Sequence, residues 1–585
     1  MQARIQALMT DAGIPGAGIV LIRDGQPIWV AGIGKADKAT GRKVDADTRF
    51  RIGSITKSFL AIALLQEVER GNLSLDAKLS ELAPEIPIDN PWHATDPVRV
   101  KHVLEHTAGF DDMHFRHVLP DPKARSTLEQ MRQFAPEFRV RWRPGERMSY
   151  SNPGYGLAGY LLEKVSHRPM RDVIDSEVLA PLGMTNTVWQ QSSAAPNLAV
   201  GHDRDSGKPV PWDEISMPGA GALISSATDM AKYVQFYLSH GASAPGVLSA
   251  ANMKRMETVS TTLSARSGLT NGYGLANYGF ERDGWNFRGH SGAIPGYLSS
   301  FGYRRDGGLG YVVLFNTLPG KNVGKIENQI VALITRGLEK PKPSAVLAPD
   351  PKWVGWYGQV NPRNQLTGGL EGLLNVGYLH IVDGKRYRLS HPLGLATQDV
   401  ELLPGGLTRY PDKVQANGVF GMDASGRRVW ISDDAFFIEQ GLWATAAPLY
   451  VFTMAVLLMF AGVLFAPVWG YRLLRGKLRE APQRGLRWWP VAAILCLCAV
   501  VFAAVNLTDS MLMAPKPNLI TLTMAIGTWL FAACGLIGLV QTLRHWSPRI
   551  HGFVRWYTLL ASLSVVGLAV WMWNANLLGF RLWAW

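Results

Sequence analysis

Ser54, Lys57, Tyr150, Asn152, His290 and Gly292 fall in three short motifs whose residue types can make a serine nucleophilic. They are Ser54-Ile55-Thr56-Lys57, Tyr150-Ser151-Asn152 and His290-Ser291-Gly292. A serine hydroxyl is a poor nucleophile until a base at hydrogen-bond distance takes its proton. Residues three apart on a helix share a face, which sets Lys57 beside Ser54. A lysine serves as base once burial or a neighbouring cation lowers its pKa. A tyrosine near that amine can relay a proton, and Asn152 can hold a substrate carbonyl and orient Lys57. Ser54 at a helix N-terminus offers its N–H to a developing oxyanion; Gly292 allows close backbone approach, so the Ala293 N–H is the second donor. Each motif has an ordinary reading: an N-cap serine, a snorkelling lysine, a polar turn, a core or metal-ligating histidine. An S-x-x-K alone occurs by chance about once or twice in a chain this long. Three motifs in this order and in suitable settings outweigh those readings. No carboxylate or histidine cluster with ligand spacing accompanies His290, so neither a metal nor a cofactor is expected there.

These residues need a scaffold, and the chain provides one. Gly18-Ile19-Val20-Leu21-Ile22 and Pro27-Ile28-Trp29-Val30 flank Asp24-Gly25, a hairpin signal. Ser54 to Arg70 reads as a helix closed by Gly71, apolar nearly all round and therefore buried. Helices and long loops with Pro/Gly breaks continue to about residue 280, including a helix from Tyr155 to Val165 just after the Tyr150 loop. Strands return at Trp285 to Arg288, Leu298 to Arg304 and Leu309 to Phe315, followed by an amphipathic helix from Val323 to Leu338. His290-Ser291-Gly292 is expected to end the first of these strands. Strands at both ends with helices between predict an α+β fold with an antiparallel sheet and an inserted helical region over residues 1–340. Residues 341–351 form a Pro-rich linker of PPII type. Residues 352–440 read as a small all-β domain for packing or partner binding, with no catalytic constellation of its own.

At 585 residues the chain exceeds one ordinary core, and its 47% hydrophobic content suits a soluble part joined to a membrane part. From residue 441 onward eleven Lys/Arg stand against Glu480 and Asp509, roughly +9 of the net +13. Basicity is thus a membrane-topology signal, and nucleic acid is not expected as a partner. Four apolar runs, about 446–469, 488–508, 519–541 and 556–580, are long enough to span a bilayer. The loop after the first holds Arg472, Arg475, Lys477, Arg479, Arg484 and Arg487, and the loop after the third holds Arg544, Arg549 and Arg555. The loop after the second has only Lys516, so the positive-inside rule places loops one and three in the cytoplasm. The N-terminal domains then face the periplasm or exterior from a multi-pass anchor in the cytoplasmic membrane. Met1 to Gly16 has no apolar h-region, which leads us to expect a signal upstream of this start. Asn506, Asp509, Asn574 and Asn576 near the run ends fit interfacial solvation. The three cysteines, Cys496, Cys498 and Cys534, lie in these runs and read as helix- or lipid-facing packing.

The three motifs resemble the serine β-lactamase and penicillin-binding-protein superfamily, in its class C β-lactamase-like branch. That branch includes D-aminopeptidases, D,D-peptidase-like proteins and family VIII esterases. Val103-Leu104-Glu105-His106-Thr107-Ala108-Gly109 resembles its L-x-x-H-T-S-G segment, and Gly219 to Met230 its G-G-L-x-S-T-A-x-D-M helix entry. The resemblance covers about residues 1–340. It implies Ser54 as the acylated nucleophile, Lys57 and Tyr150 sharing base and acid roles, and Asn152, His290, Ser291, Gly292 and Ala293 at the substrate. Where many relatives carry K-T-G this chain has His290-Ser291-Gly292, exchanging a fixed cation for a mostly neutral ring near pH 7. That departure favours a peptide amide (including one next to a D-residue) or a carboxylic ester over a β-lactam. The expected substrate is a small peptide, a cell-wall-related compound or an ester, and the lipid bilayer is the expected partner of the C-terminal helices. The competing readings are a β-lactamase or penicillin-binding-type sensor acylated without efficient turnover, and a transport or assembly partner.

Overall fold

The computed structural model describes residues 2–121, 123–124, 126–189, 197–211, 214–318, 323–477, 481–507 and 513–585. Arg479, Glu480 and Asp509, and the end of the apolar run 488–508, lie outside them. The expected hairpin is present as Gly16–Arg23 and Gln26–Gly34. It joins strands from far along the chain in a six-stranded antiparallel sheet. The order is Gln26–Gly34, Gly16–Arg23, Leu309–Phe315, Tyr297–Arg304, Trp285–Ile294, Tyr278–Arg282. Ile19 pairs with Val313 and Val20 with Val312, so neighbouring side chains enter opposite faces. Both faces are covered, which explains a continuous apolar run where a half-exposed strand would alternate. On one face Ile19 and Val313 meet Ile5 and Met9 of helix Gln2–Asp11 and Ile326 and Ile330 of helix Val323–Ile334. On the other, Val20, Val312 and Phe301 join the larger core around Phe59, Leu60, Tyr155 and Tyr233.

That larger core contains the helix Thr56–Glu69, entered through a 3-10 turn at Gly53–Ile55. Its residues from Thr56 to Glu67 are all buried, as an apolar circumference requires. The third-motif strand runs as Trp285–Ile294, longer than the sequence suggests, so His290-Ser291-Gly292 lies inside the strand instead of ending it. Gly289, Ser291 and Gly292 have weak strand propensity, but pairing with Tyr297–Arg304 continues through Ile294 and overrides it.

Residues 341–349 have no helix or strand beyond a single bridge from Leu347 to Leu402 and are mostly exposed. Beyond them eight antiparallel strands follow one another from Gly355–Gln359 to Ala435–Gln440 and close into a barrel, Trp356 pairing with Gln440. Trp353, Tyr357, Tyr387, Phe420 and Trp430 fill it. One feature departs from an all-β reading: Gln365–Leu374 is a helix, N-capped by the Asn364 side chain, which accepts from the Leu366 N–H. Three glycines make its local propensity poor. Tertiary burial creates it, with Leu366 packed on Ala514 and Leu582, and Leu373 on Leu449.

Four helices at the C-terminal end are long and apolar enough to cross a bilayer: Ala446–Leu474, Arg484–Val505, Leu519–Arg544 and Gly552–Asn574. Cys534 is buried between them, Cys496 is half-buried and Cys498 exposed. Trp585, after the last helix, returns to the N-terminal domain. Its carbonyl accepts from the Arg116 N–H at 2.9 Å and its ring stacks on His114 at 4.0 Å.

Candidate active site

Two glycines allow the nucleophile turn to sit on the third-motif strand. Gly53 has φ +50°, and a Cβ there would lie 3.1 Å from the Ala293 nitrogen. A Cβ on Gly292 would meet the Ile52 carbonyl oxygen at 1.9 Å, an impossible approach for any larger residue. The Ser299 hydroxyl donates to that same Ile52 oxygen at 2.7 Å and fixes the contact. Ser54 and Ala293 therefore line one cleft from adjoining backbones.

Lys57 is fully buried one helical turn from Ser54. Its Nζ has three oxygen partners: Ser54 Oγ at 2.9 Å, Asn152 Oδ1 at 2.8 Å and the Ala220 carbonyl at 2.7 Å. Burial pulls its pKa well below the ordinary lysine range; Asp112 opposes this and Arg363 reinforces it. Tyr150 lines the cleft beside Ser54 and interacts with it electrostatically, and its ring centroid lies 5.0 Å from Lys57 Nζ. Burial pushes the phenol above its usual value, against the opposing influence of Ser54 and Arg363. The hydroxyl, the amine and the phenol thus converge, in a dry setting that disfavours the charged form of the amine.

Asn152 starts the helix Asn152–Ser166, which begins three residues earlier than the sequence suggests because Ser151 N-caps it through Gly154 N–H. The Asn152 N–H and Nδ2 both donate to Asp112 Oδ1, at 2.9 and 3.0 Å. This sets the amide with Oδ1 toward Lys57. His106 supports the same loop: its Nδ1 accepts from the Ser151 N–H at 3.1 Å and its ring packs 4.1 Å from Tyr150. His290 is buried, with Nε2 2.7 Å from Tyr273 Oη and Nδ1 2.6 Å from the Ser291 carbonyl. Burial first, then the charge of Lys57, lowers its pKa to about 3, so the ring is neutral. Ser291 is exposed and lines the cleft together with His290, and its hydroxyl accepts from Tyr278 Oη at 2.9 Å.

A family model described as Beta-lactamase matches residues 1–336, more than half of the chain. The chain belongs to the β-lactamase family. It is 26% identical over 308 residues to "Penicillin-binding protein 4" of Amycolatopsis lactamdurans, covering 51% of this chain and 80% of that protein. It is 28% identical over 255 residues to a "Beta-lactamase" of Yersinia enterocolitica, covering 43% of this chain and 61% of that one. The crystal structure of SurE is similar with a TM-score of 0.51 and 25% identity, over 75% of this chain and 98% of SurE.

In this β-lactamase-family chain the cleft, of about 710 Å³, is walled partly by the barrel, through Arg363, Asn364, Asn417, Asp433 and Asp434. The Arg363 guanidinium sits 4.6 Å over the Tyr150 ring, with Nε 2.8 Å from Asp112 Oδ2. Buried Asn361 ties the barrel to the Tyr150 loop: its Nδ2 donates to Met148 O at 2.9 Å and Asp434 O at 2.6 Å, and its Oδ1 accepts from Phe436 N–H. Burial raises the Asp434 pKa to about 6, helped by Asp433. Sequence reasoning missed all of these. Arg363 precedes a poorly marked helix and Asp433-Asp434 reads as an ordinary hairpin tip; only long-range docking makes them cleft residues.

Proposed function

We propose that the chain is a membrane-anchored serine hydrolase that works through an acyl-enzyme on Ser54, cleaving a peptide amide, including one next to a D-residue, or a carboxylic ester. One observation carries this reading: the buried Lys57 amine lies 2.9 Å from Ser54 Oγ, with the Tyr150 ring 5.0 Å from the same amine in the same cleft. Neutral Lys57 takes the Ser54 proton as Oγ attacks the carbonyl carbon. The tetrahedral oxyanion is held by the Ser54 and Ala293 N–H groups. Asn152 holds the substrate carbonyl side and keeps Lys57 aimed. The proton passes through Tyr150 to the departing amine or alcohol, leaving an ester on Ser54. Water, deprotonated along the same route, then releases the acid and restores the hydroxyl.

Neutral His290 gives a substrate carboxylate no fixed cation on the third strand, which supports amides or esters over β-lactams. A panel of p-nitrophenyl esters, D-residue p-nitroanilides and nitrocefin, with Ser54→Ala as control, tests this. Short esters or D-amides turn over faster than nitrocefin; nitrocefin outpacing both contradicts the substrate class. Rapid labelling without turnover of any of them would favour the receptor reading.

The reading divides the chain into a hydrolase domain (1–340), a linker (341–351), a barrel (352–440) and a four-helix membrane domain (441–585). It places the hydrolase outside the cytoplasmic membrane. Support comes from Arg472, Arg475 and Lys477 after the first helix and Arg544, Arg549 and Arg555 after the third. The opposite helix ends adjoin the barrel and hydrolase, through Leu449 on Leu373 and Trp585 on His114.

A further inference from the structure

A second polar cluster lies behind the Asn152 wall, and nothing in the serine chemistry uses it. His114 precedes and His117 ends a single 3-10 turn, Phe115–His117, and Glu137 lies twenty positions beyond His117 in the chain. One donor atom from each lies within 4.8 Å of the others. Glu137 is fully buried and His114 is 6% exposed. Among the described residues the ion-pair partners of Glu137 are these two histidines, with no lysine or arginine. A buried carboxylate without a cation is costly, so something positive belongs there.

The hydrogen bonds show where. His114 Nε2 faces Asp111 Oδ2 at 3.2 Å, a partner that favours the hydrogen on Nε2 and, in the neutral ring, turns the lone pair to Nδ1. That Nδ1 is buried without a hydrogen-bond partner and looks at Glu137 Oε1 from 3.7 Å, too far for a hydrogen bond. Glu137 Oε2 is also buried and unpartnered. Glu137 Oε1 accepts from the His114 backbone N–H at 3.2 Å, while Oε2 and His114 Nδ1 lack any donor, and a cation shared by the carboxylate and the ring nitrogen would satisfy both. His117 Nδ1, 2.5 Å from Glu137 Oε1, completes the set, and the two imidazole planes are within 6° of parallel. Phe134 edges against His117 and Trp585 covers His114, so the surroundings are apolar.

We infer that His114 Nδ1, His117 Nδ1 and a Glu137 carboxylate oxygen bind one divalent transition-metal ion of the zinc class. Donors about 2.0–2.2 Å from one tetrahedral ion lie roughly 3.4 Å apart, so on binding the wider pairs close and His117 Nδ1, now 2.5 Å from Glu137 Oε1, moves off that oxygen. Binding displaces the proton between His117 Nδ1 and Glu137, leaving that ring its hydrogen on Nε2. Asp111 holds His114 in the ligating tautomer from behind, as carboxylates do for metal-bound imidazoles. The ion does not touch Ser54. It ties the 111–117 turn, whose Asp112 holds Asn152 and Arg363, to Glu137 and to the segment ending at Trp585. The site stands whether or not Ser54 is acylated.

The test uses the untagged full-length chain in detergent, stripped with a chelator and titrated with Co2+ while visible absorption is followed. The expected result is saturable uptake of one ion per chain with a tetrahedral-type spectrum, erased by Zn2+. His114→Ala and Glu137→Gln lose it, and Asp111→Asn weakens affinity about 10–100-fold. X-ray absorption at the zinc edge of the wild-type protein requires no variant to fold, and should show nitrogen and oxygen neighbours only, with imidazole scattering. No saturable uptake by the wild type would overturn the inference and leave a hydrogen-bonded histidine–glutamate pair. So would sulfur in the coordination sphere, or uptake that survives both His114→Ala and Glu137→Gln.

Discussion

At the scale of single residues, the proposed chemistry depends on an amine whose charged form burial disfavours, beside a hydroxyl. Lys57→Met removes the proposed base while keeping a long apolar side chain, and should lower kcat/KM on a p-nitrophenyl ester by about 10²–10⁴-fold, read in a steady-state assay. Acylation requires neutral Lys57, so its rate rises with pH through the Lys57 pKa and then levels. Because burial lowers that pKa, the midpoint should fall well below the ordinary lysine range. Arg363 adds to the lowering and Asp112 opposes it. Arg363→Gln removes the cation and leaves Asp112 without its guanidinium, so both effects move the midpoint of the pH–rate profile upward. A midpoint that stays put would remove Arg363 from the electrostatics of the site. Ser54, Lys57, Tyr150, Asn152, His290 and Gly292 were legible because each sits in a local motif with its own reason for being there. Arg363 was not, since its meaning comes from Tyr150 and Asp112, more than 200 positions away in the chain.

At the scale of elements, the site exists where a helix entrance, a loop and a strand meet. Gly292→Ala places a Cβ on the Ile52 carbonyl and forces the nucleophile turn off the strand. It should cost about 1–3 kcal/mol in a denaturant titration and abolish ester turnover. The buried helix, the N-terminal hairpin and the antiparallel sheet were readable from apolar patterning, because burial on both faces leaves a strong mark. The inner position of His290-Ser291-Gly292 was not, as glycine and serine interrupt the strand pattern while the partner strand maintains the pairing. The barrel's approach to the cleft was equally silent. Asn361→Ala removes hydrogen bonds to Met148, Asp434 and Phe436 and should raise KM for a peptide substrate, with Ser54 still labelled by a fluorophosphonate. Equal KM for both proteins would mean that the barrel does not shape the substrate end of the cleft.

At the scale of the whole molecule, the four apolar helices and the basic loops were the clearest sequence signals after the motifs, since a bilayer demands length and charge asymmetry. In a background with the three native cysteines replaced, Leu395→Cys on the exposed barrel surface should react with a membrane-impermeant maleimide added to whole cells. Arg475→Cys, after the first helix, should react only once the cells are opened; the reverse pattern would invert the topology. The central claim remains that Lys57 makes the Ser54 hydroxyl reactive. Its most direct test is the rate at which p-nitrophenyl acetate acylates the full-length protein, with the modified peptide located by mass spectrometry. The account predicts an acetyl group on Ser54 in the wild type, forming about 10² or more times slower in Lys57→Met. An acetyl group on another residue, or equal rates in the two proteins, would contradict it.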